Sequence, residues 1–187
     1  MKVRVIDKPC LFAETVYLLY YYINGIAYTR DYERVNRKFG RYLLEKEDQG
    51  LQLAQELDLP VSVHDREAHA EMYELLRQYR PRGVLHCYSG SAEDAAWLTA
   101  QGMALGFGGA VTYKGAKRAA KVLAMVPHEL AVLETDCPYM SPEPVRGTRN
   151  DSRNIAHVAA KIGEIWQMDA QSVLDLTAEN AKRIFNQ

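Results

Sequence analysis

The sequence predicts an α/β protein built on a parallel sheet, with a metal site at one end of its strands. Two observations carry this. From residue 45 onward, short apolar runs alternate with segments of helical periodicity, four times over and with short connections; such alternation implies parallel strands joined by helices. Three of the runs also end on side chains that can hold a cation: Val61–Val63 into His64, Val84–Leu85 into His86, and Ala131–Leu133 into Glu134-Thr135-Asp136. Imidazoles and carboxylates repeated at the C-terminal ends of buried strands are how a parallel α/β barrel builds a metal site on its upper rim.

Taken in order, Leu51, Ala54 and Leu57 mark a helix that stops before Leu59-Pro60, and Pro60 opens the first strand. Ala68, Met72, Leu75, Leu76 and Tyr79 form the stripe of a second helix, ended by Arg80-Pro81. Gly83–Leu85 is the next strand. Ser91, with Asp94 three residues on, reads as the N-cap of a helix carrying Ala95 and Leu98. Met103–Phe107 is a third strand, followed by a helix over Gly115–Met125, the strand Ala131–Leu133, and closing helices over Asn154–Trp166 and Thr177–Phe185.

The first 44 residues differ in character and hold seven of the twelve tyrosines. They read as a short strand at Val3–Ile6, an apolar helix over Phe12–Ile23, a break at Asn24-Gly25 and a charged helix from about Asp31. Phe12–Ile26 is too short and too interrupted by Glu14, Asn24 and Gly25 to span a bilayer. The charged start, Met1–Pro9, is not a signal peptide. Tyr20-Tyr21-Tyr22 cannot occupy one helix face, so core and dimer contacts account for it better than base stacking does.

Composition narrows the function classes. With 187 residues, 48% of them hydrophobic, the chain can bury one sizeable core. Lys and Arg number 23 against 24 Asp and Glu, so no global charge draws the protein to nucleic acid or membrane. A bound divalent cation would add local positive charge that this count omits. Cys10, Cys87 and Cys137 are few, odd in number and widely spaced, which fits reduced thiols and a cytoplasmic location.

His64, His86 and Asp136 gain weight together because they hold equivalent positions in successive units. Such a set suits Zn, Mn or Mg, and a metal-bound water becomes a nucleophile near neutral pH. Asp136 is placed to ligate the metal, orient the water or take its proton. Glu134 is expected to point away from Asp136, as a buried ion-pair partner and not a ligand. His69, His128 and His157 read as structural residues, and Cys87 and Cys137 as small buried thiols. The cluster Gly106–Gly109 either offers backbone amides to an anion or makes a tight bend. Arg146-Gly147-Thr148-Arg149-Asn150 either binds phosphate or is solvated loop charge.

Read as strings, Leu59-Pro60-Val61-Ser62-Val63-His64-Asp65-Arg66-Glu67-Ala68, His86-Cys87-Tyr88-Ser89-Gly90, Gly106-Phe107-Gly108-Gly109, Glu134-Thr135-Asp136-Cys137-Pro138-Tyr139, Arg146-Gly147-Thr148-Arg149-Asn150 and Asn180-Ala181-Lys182-Arg183-Ile184-Phe185 resemble the TatD family of metal-dependent hydrolases. The resemblance covers residues 45–187 and keeps the family's motif order and spacing. It implies a TIM-like barrel, a divalent metal centre (Mg, Mn or Zn) and hydrolysis of phosphodiester bonds, with DNA as substrate. By the same resemblance His64 and His86 are metal ligands, Asp136 is ligand and catalytic carboxylate, and Arg66, Arg146 and Arg149 contact substrate.

The family's opening His-X-His pair and its bridging Glu, within a Gly-Glu-Ile-Gly-Leu-Asp-like run, have no counterpart in the chain. Asn150-Asp151-Ser152 also stands where the family continues Asn-Glu-Pro. A complete eight-stranded barrel takes about 250 residues. The expected architecture is therefore a partial TIM-like (β/α) barrel of about the last four strand-helix units, residues 45–187, behind an unrelated, mostly helical leader at 1–44. Half a barrel leaves open sheet edges, which the leader or a homodimer would cover. The rival expectation is a catalytically inactive remnant, gene fragment or fusion with an interaction or regulatory role.

Overall fold

Among the described residues four short strands form one sheet: β1 (Val61–His64), β2 (Gly83–His86), β3 (Ala104–Phe107) and β4 (Ala131–Leu133). They pair in chain order and every pair is parallel, because the chain returns to the starting end of the sheet between strands. The computed structural model describes residues 48–65 and 69–185. The leader expected over 1–44 and the candidate Arg66 lie outside the described residues.

The helices are α1 (48–56), α2 (His69–Tyr79), α3 (Ala92–Ala100), α4 (Lys117–Leu123), α5 (Ile155–Trp166) and α6 (Ala170–Phe185). The cap read at Ser91 is present: its Oγ accepts from the Asp94 backbone N–H at 3.0 Å and donates to the Asp94 carboxylate at 2.7 Å. Two helix boundaries differ from expectation. Gly115, at φ +93°, holds the chain out of the helix until Lys117. Helix α6 begins at Ala170, seven residues before Thr177, because Asp169 accepts from the Ser172 N–H at 3.0 Å and from its hydroxyl. Leu57, expected on the α1 stripe, is 52% exposed, while Leu51 and Ala54 are buried.

Strand alternation divides the sheet into two faces. Val61, Val63, Leu85, Leu105, Phe107 and Ala131 point to one side, where Met72, Leu76, Leu98, Val158, Ile162 and Trp166 bury against them. This is the main core. The alternate positions form the other face. Its lower half is apolar: Val84, Ala104 and Val132 pack against Ile184 and Ala181 of α6. Asn180 fixes that helix to the foot of β4, donating to the carbonyls of His128 and Ala131 at 2.8 and 2.9 Å. The upper half of the same face carries His64 and His86. Ile162 is fully buried in the main core, so Ile162→Ala should lower unfolding stability by about 2–5 kcal/mol, read as the shift in urea midpoint.

Candidate metal centre

The site grows from the C-terminal ends of β1, β2 and β4. His64 and His86 are register partners on adjacent parallel strands, which sets their ring centroids 5.5 Å apart at 43°. His86 is held on both ring nitrogens. Its Nδ1 lies 2.6 Å from Glu134 Oε2 and its Nε2 lies 2.9 Å from Asp136 Oδ1. The other Glu134 oxygen accepts from the Cys87 backbone N–H at 2.6 Å. One ligand atom from each of His86, Glu134 and Asp136 falls within 4.8 Å of the others.

Glu134 does not point away from Asp136, and that expectation is corrected. Positions two apart on an extended chain share a face, so Val132, Glu134 and Asp136 rise on the side that bears His86. Asp136 also adopts φ +53°, a left-handed conformation uncommon for a residue with a side chain. The ion-pair role expected for Glu134 is present, with His86 as its partner. Reaching β2 from β4 requires crossing β3, and Gly106 makes the crossing possible. A Cβ at position 106 would stand 2.9 Å from the Glu134 carboxyl carbon and nearer still to Oε2. The glycine cluster is thus explained by close approach: Gly106 admits Glu134, and a Cβ at Gly109 would collide with the Met140 carbonyl.

Charge follows from this geometry. Burial disfavours the His86 imidazolium, but its hydrogen bonds to Asp136 and Glu134 and their negative charges outweigh it and push the group up to about 10. The hydrogen bond from His86 holds Asp136 below the usual carboxylate range against its partial burial, and His64 adds to the effect. Burial and the same two carboxylates push the Cys87 thiol up, which makes it a poor nucleophile. With its Nδ1 side occupied by Glu134, His86 turns Nε2 toward Asp136, the arrangement in which a carboxylate orients a ligating imidazole. Imidazole nitrogen and carboxylate oxygen together are a donor set that suits Zn, Mn or Mg, so the residues present fit a divalent cation.

The loop after β4 closes over the site. Buried Asn150 donates to the carbonyls of Thr135 and Tyr139 at 2.6 and 2.7 Å, pinning the segment that carries Asp136. Arg146 is exposed, lies 4.2 Å above the Tyr113 ring, and is 3.7 Å from Glu143. Arg149 is also exposed and acts electrostatically on Asp151. Cys137 is exposed, contrary to the expectation of a buried thiol. Of the histidines read as structural, His69 pairs with nearly buried Asp65 and His128 stacks on Trp166 at 4.1 Å. Sequence reasoning missed the reach of Glu134 and the tether at Asn150. The Glu134-Thr135-Asp136 spacing was the available signal for the first. Gly106→Ala should push Glu134 off His86 and weaken Mn binding roughly 10–100-fold, measured by titration calorimetry. A substituted chain that binds Mn unchanged would remove the glycine from this account.

The fold and motifs can be set beside known proteins. The model of the family described as TatD related DNase matches residues 32–186. The metal-dependent hydrolase YabD of Bacillus subtilis is 38% identical over 136 residues, which is 71% of this chain and 53% of that protein. The 3'-5' ssDNA/RNA exonuclease TatD of Erwinia tasmaniensis is 31% identical, over 73% of this chain and 56% of its own length. The crystal structure of YjjV, a TatD homolog from Escherichia coli, superposes with a TM-score of 0.72 at 30% identity, covering 86% of this chain and 61% of that one. The chain spans between about half and three fifths of the length of these relatives. Matched by the family model over residues 32–186, most of its length, and 38% identical to a metal-dependent hydrolase over 71% of it, the chain belongs to the TatD-related DNase family.

Proposed function

We propose that this chain carries the metal-holding part of a TatD-type hydrolase that cleaves phosphodiester bonds in DNA. The observation that carries the reading is His86, bracketed by Glu134 and Asp136 beside His64 at the C-terminal ends of parallel strands. In this reading His64, His86 and Asp136 hold a divalent cation (Mg, Mn or Zn), and Glu134 fixes the His86 ring from its Nδ1 side. A divalent cation, held by these residues, would supply a more acidic water and local positive charge for a phosphoryl group. Asp136, whose carboxylate faces His86 at the mouth of the site, would take a proton from the attacking water. Arg146 and Arg149, exposed on the loop after β4, bind phosphate oxygens through their forked N–H groups, and Arg66 joins them.

The Erwinia relative named as an ssDNA/RNA exonuclease supports a nucleic-acid substrate. The division into a leader at 1–44 and a half-barrel at 45–187 belongs to the same proposal. So do a homodimer covering the open sheet edges and a cytoplasmic location; among the described residues no helix is long and apolar enough to cross a membrane. An inactive remnant is the weaker reading, since a site under no demand has no reason to keep two carboxylates on one imidazole. The test is metal content and cleavage of single-stranded DNA with Mg or Mn. Cleavage should require the metal, and His86→Ala should lower it by about 100-fold or more. Cleavage that survives chelation, or that His86→Ala leaves intact, defeats the assignment.

A further inference from the structure

The rim of the site carries an aromatic group that none of the chemistry above employs. Tyr139 is 59% exposed, and it sits in a turn closed on the site itself, its N–H donating to the Asp136 carbonyl at 2.9 Å. Asn150 grips the Tyr139 carbonyl and the Thr135 carbonyl together, so the backbone under the ring is fixed relative to Asp136. An aromatic ring with an exposed face and a fixed backbone is a surface on which another flat ring can stack. On the connection after β3, Tyr113 carries the Arg146 guanidinium on its face at 4.2 Å. Burial pushes the Tyr113 hydroxyl up, the Arg146 cation opposes that, and the Glu143 and Asp136 carboxylates add to it.

The cations on the loops at this end of the sheet suit an anionic polymer. The connection after β3 and the first turn of α4 present Lys114, Lys117 and Arg118, all exposed, at the sheet end where the loop after β4 presents Arg146 and Arg149. Two carboxylates accompany these cations: Glu143 lies 3.7 Å from Arg146, and Arg149 acts electrostatically on Asp151. Exposed cations and an exposed aromatic ring at one end of a sheet are the elements by which proteins hold single strands: the cations follow the backbone, and the ring receives an unstacked base. A duplex keeps its bases stacked inside and offers the ring nothing. Resting on the phosphodiesterase reading above, we propose that Tyr139 is a substrate-positioning residue on which a base of single-stranded DNA stacks, placing a neighbouring phosphate at the Asp136 side of the site.

Binding is measured on the full chain in excess chelator, by fluorescence anisotropy with a short 5′-labelled oligothymidylate and with an oligomer of the same length made of abasic units. Tyr139→Ala should weaken binding to the oligothymidylate roughly 5- to 20-fold and leave binding to the abasic oligomer unchanged. Tyr139→Phe, which keeps the ring, should bind oligothymidylate within about twofold of the unsubstituted chain. Arg146→Ala should weaken both oligomers. The assignment is overturned if Tyr139→Ala binds oligothymidylate normally, if it loses both oligomers equally, or if the unsubstituted chain binds neither. Whether the hydrolase reading itself stands is decided separately, by Mn-dependent hydrolysis of bis(p-nitrophenyl) phosphate, a diester without a base, by the unsubstituted chain.

Discussion

Everything at the rim of this sheet depends on a carboxylate that crosses a strand. Glu134 leaves the end of β4, passes over β3 at Gly106 and meets both the His86 ring and the Cys87 amide. That one side chain ties β4 to β2 and fixes the imidazole, leaving Nε2 to face Asp136. Two carboxylates on one imidazole also create local negative potential in a chain whose formal charge is only −1. Such a centre is stable only with a positive partner, either the proton that His86 retains or a cation in its place.

The division of labour on the inner face follows from strand alternation alone. Positions 84, 104 and 132 are apolar and sealed by Ile184 and Ala181, while positions two further along are His86, Gly106 and Glu134. Burial beneath and polarity above therefore come from the same period of two. The short strands, three or four residues each, leave a single pleat between core and site. Small displacements of the core would then reach the ligands with little attenuation.

Much of this was legible in the residues. The four strands could be read from apolar runs bounded by Pro60, Gly83 and the glycine cluster, and their parallel order from the helical segments between them. That His86 and Asp136 would meet could be read from their ending equivalent units. Less legible was anything that depends on where a side chain travels after leaving its strand. Glu134 was assigned the wrong direction although its spacing from Asp136 already gave the right face, and the reason for Gly106 lies in a residue 28 positions later. The start of α6 was missed because Asp169 and Ser172, which build its cap, lie before the apolar stripe that marks the helix. Asn150 gave no sign of its role, since a loop asparagine that binds two backbone carbonyls looks like any other until the loop is folded.

The seat of the last helix has a practical consequence. Ile184 lies under the sheet against Val84, Ala104 and Val132, and Phe185 beside it is turned to solvent, while His86 and Asp136 open at the opposite end of the strands. An anchoring group joined beyond α6 would hold the protein on a solid support with the His86 and Asp136 end of the sheet facing the bulk solution.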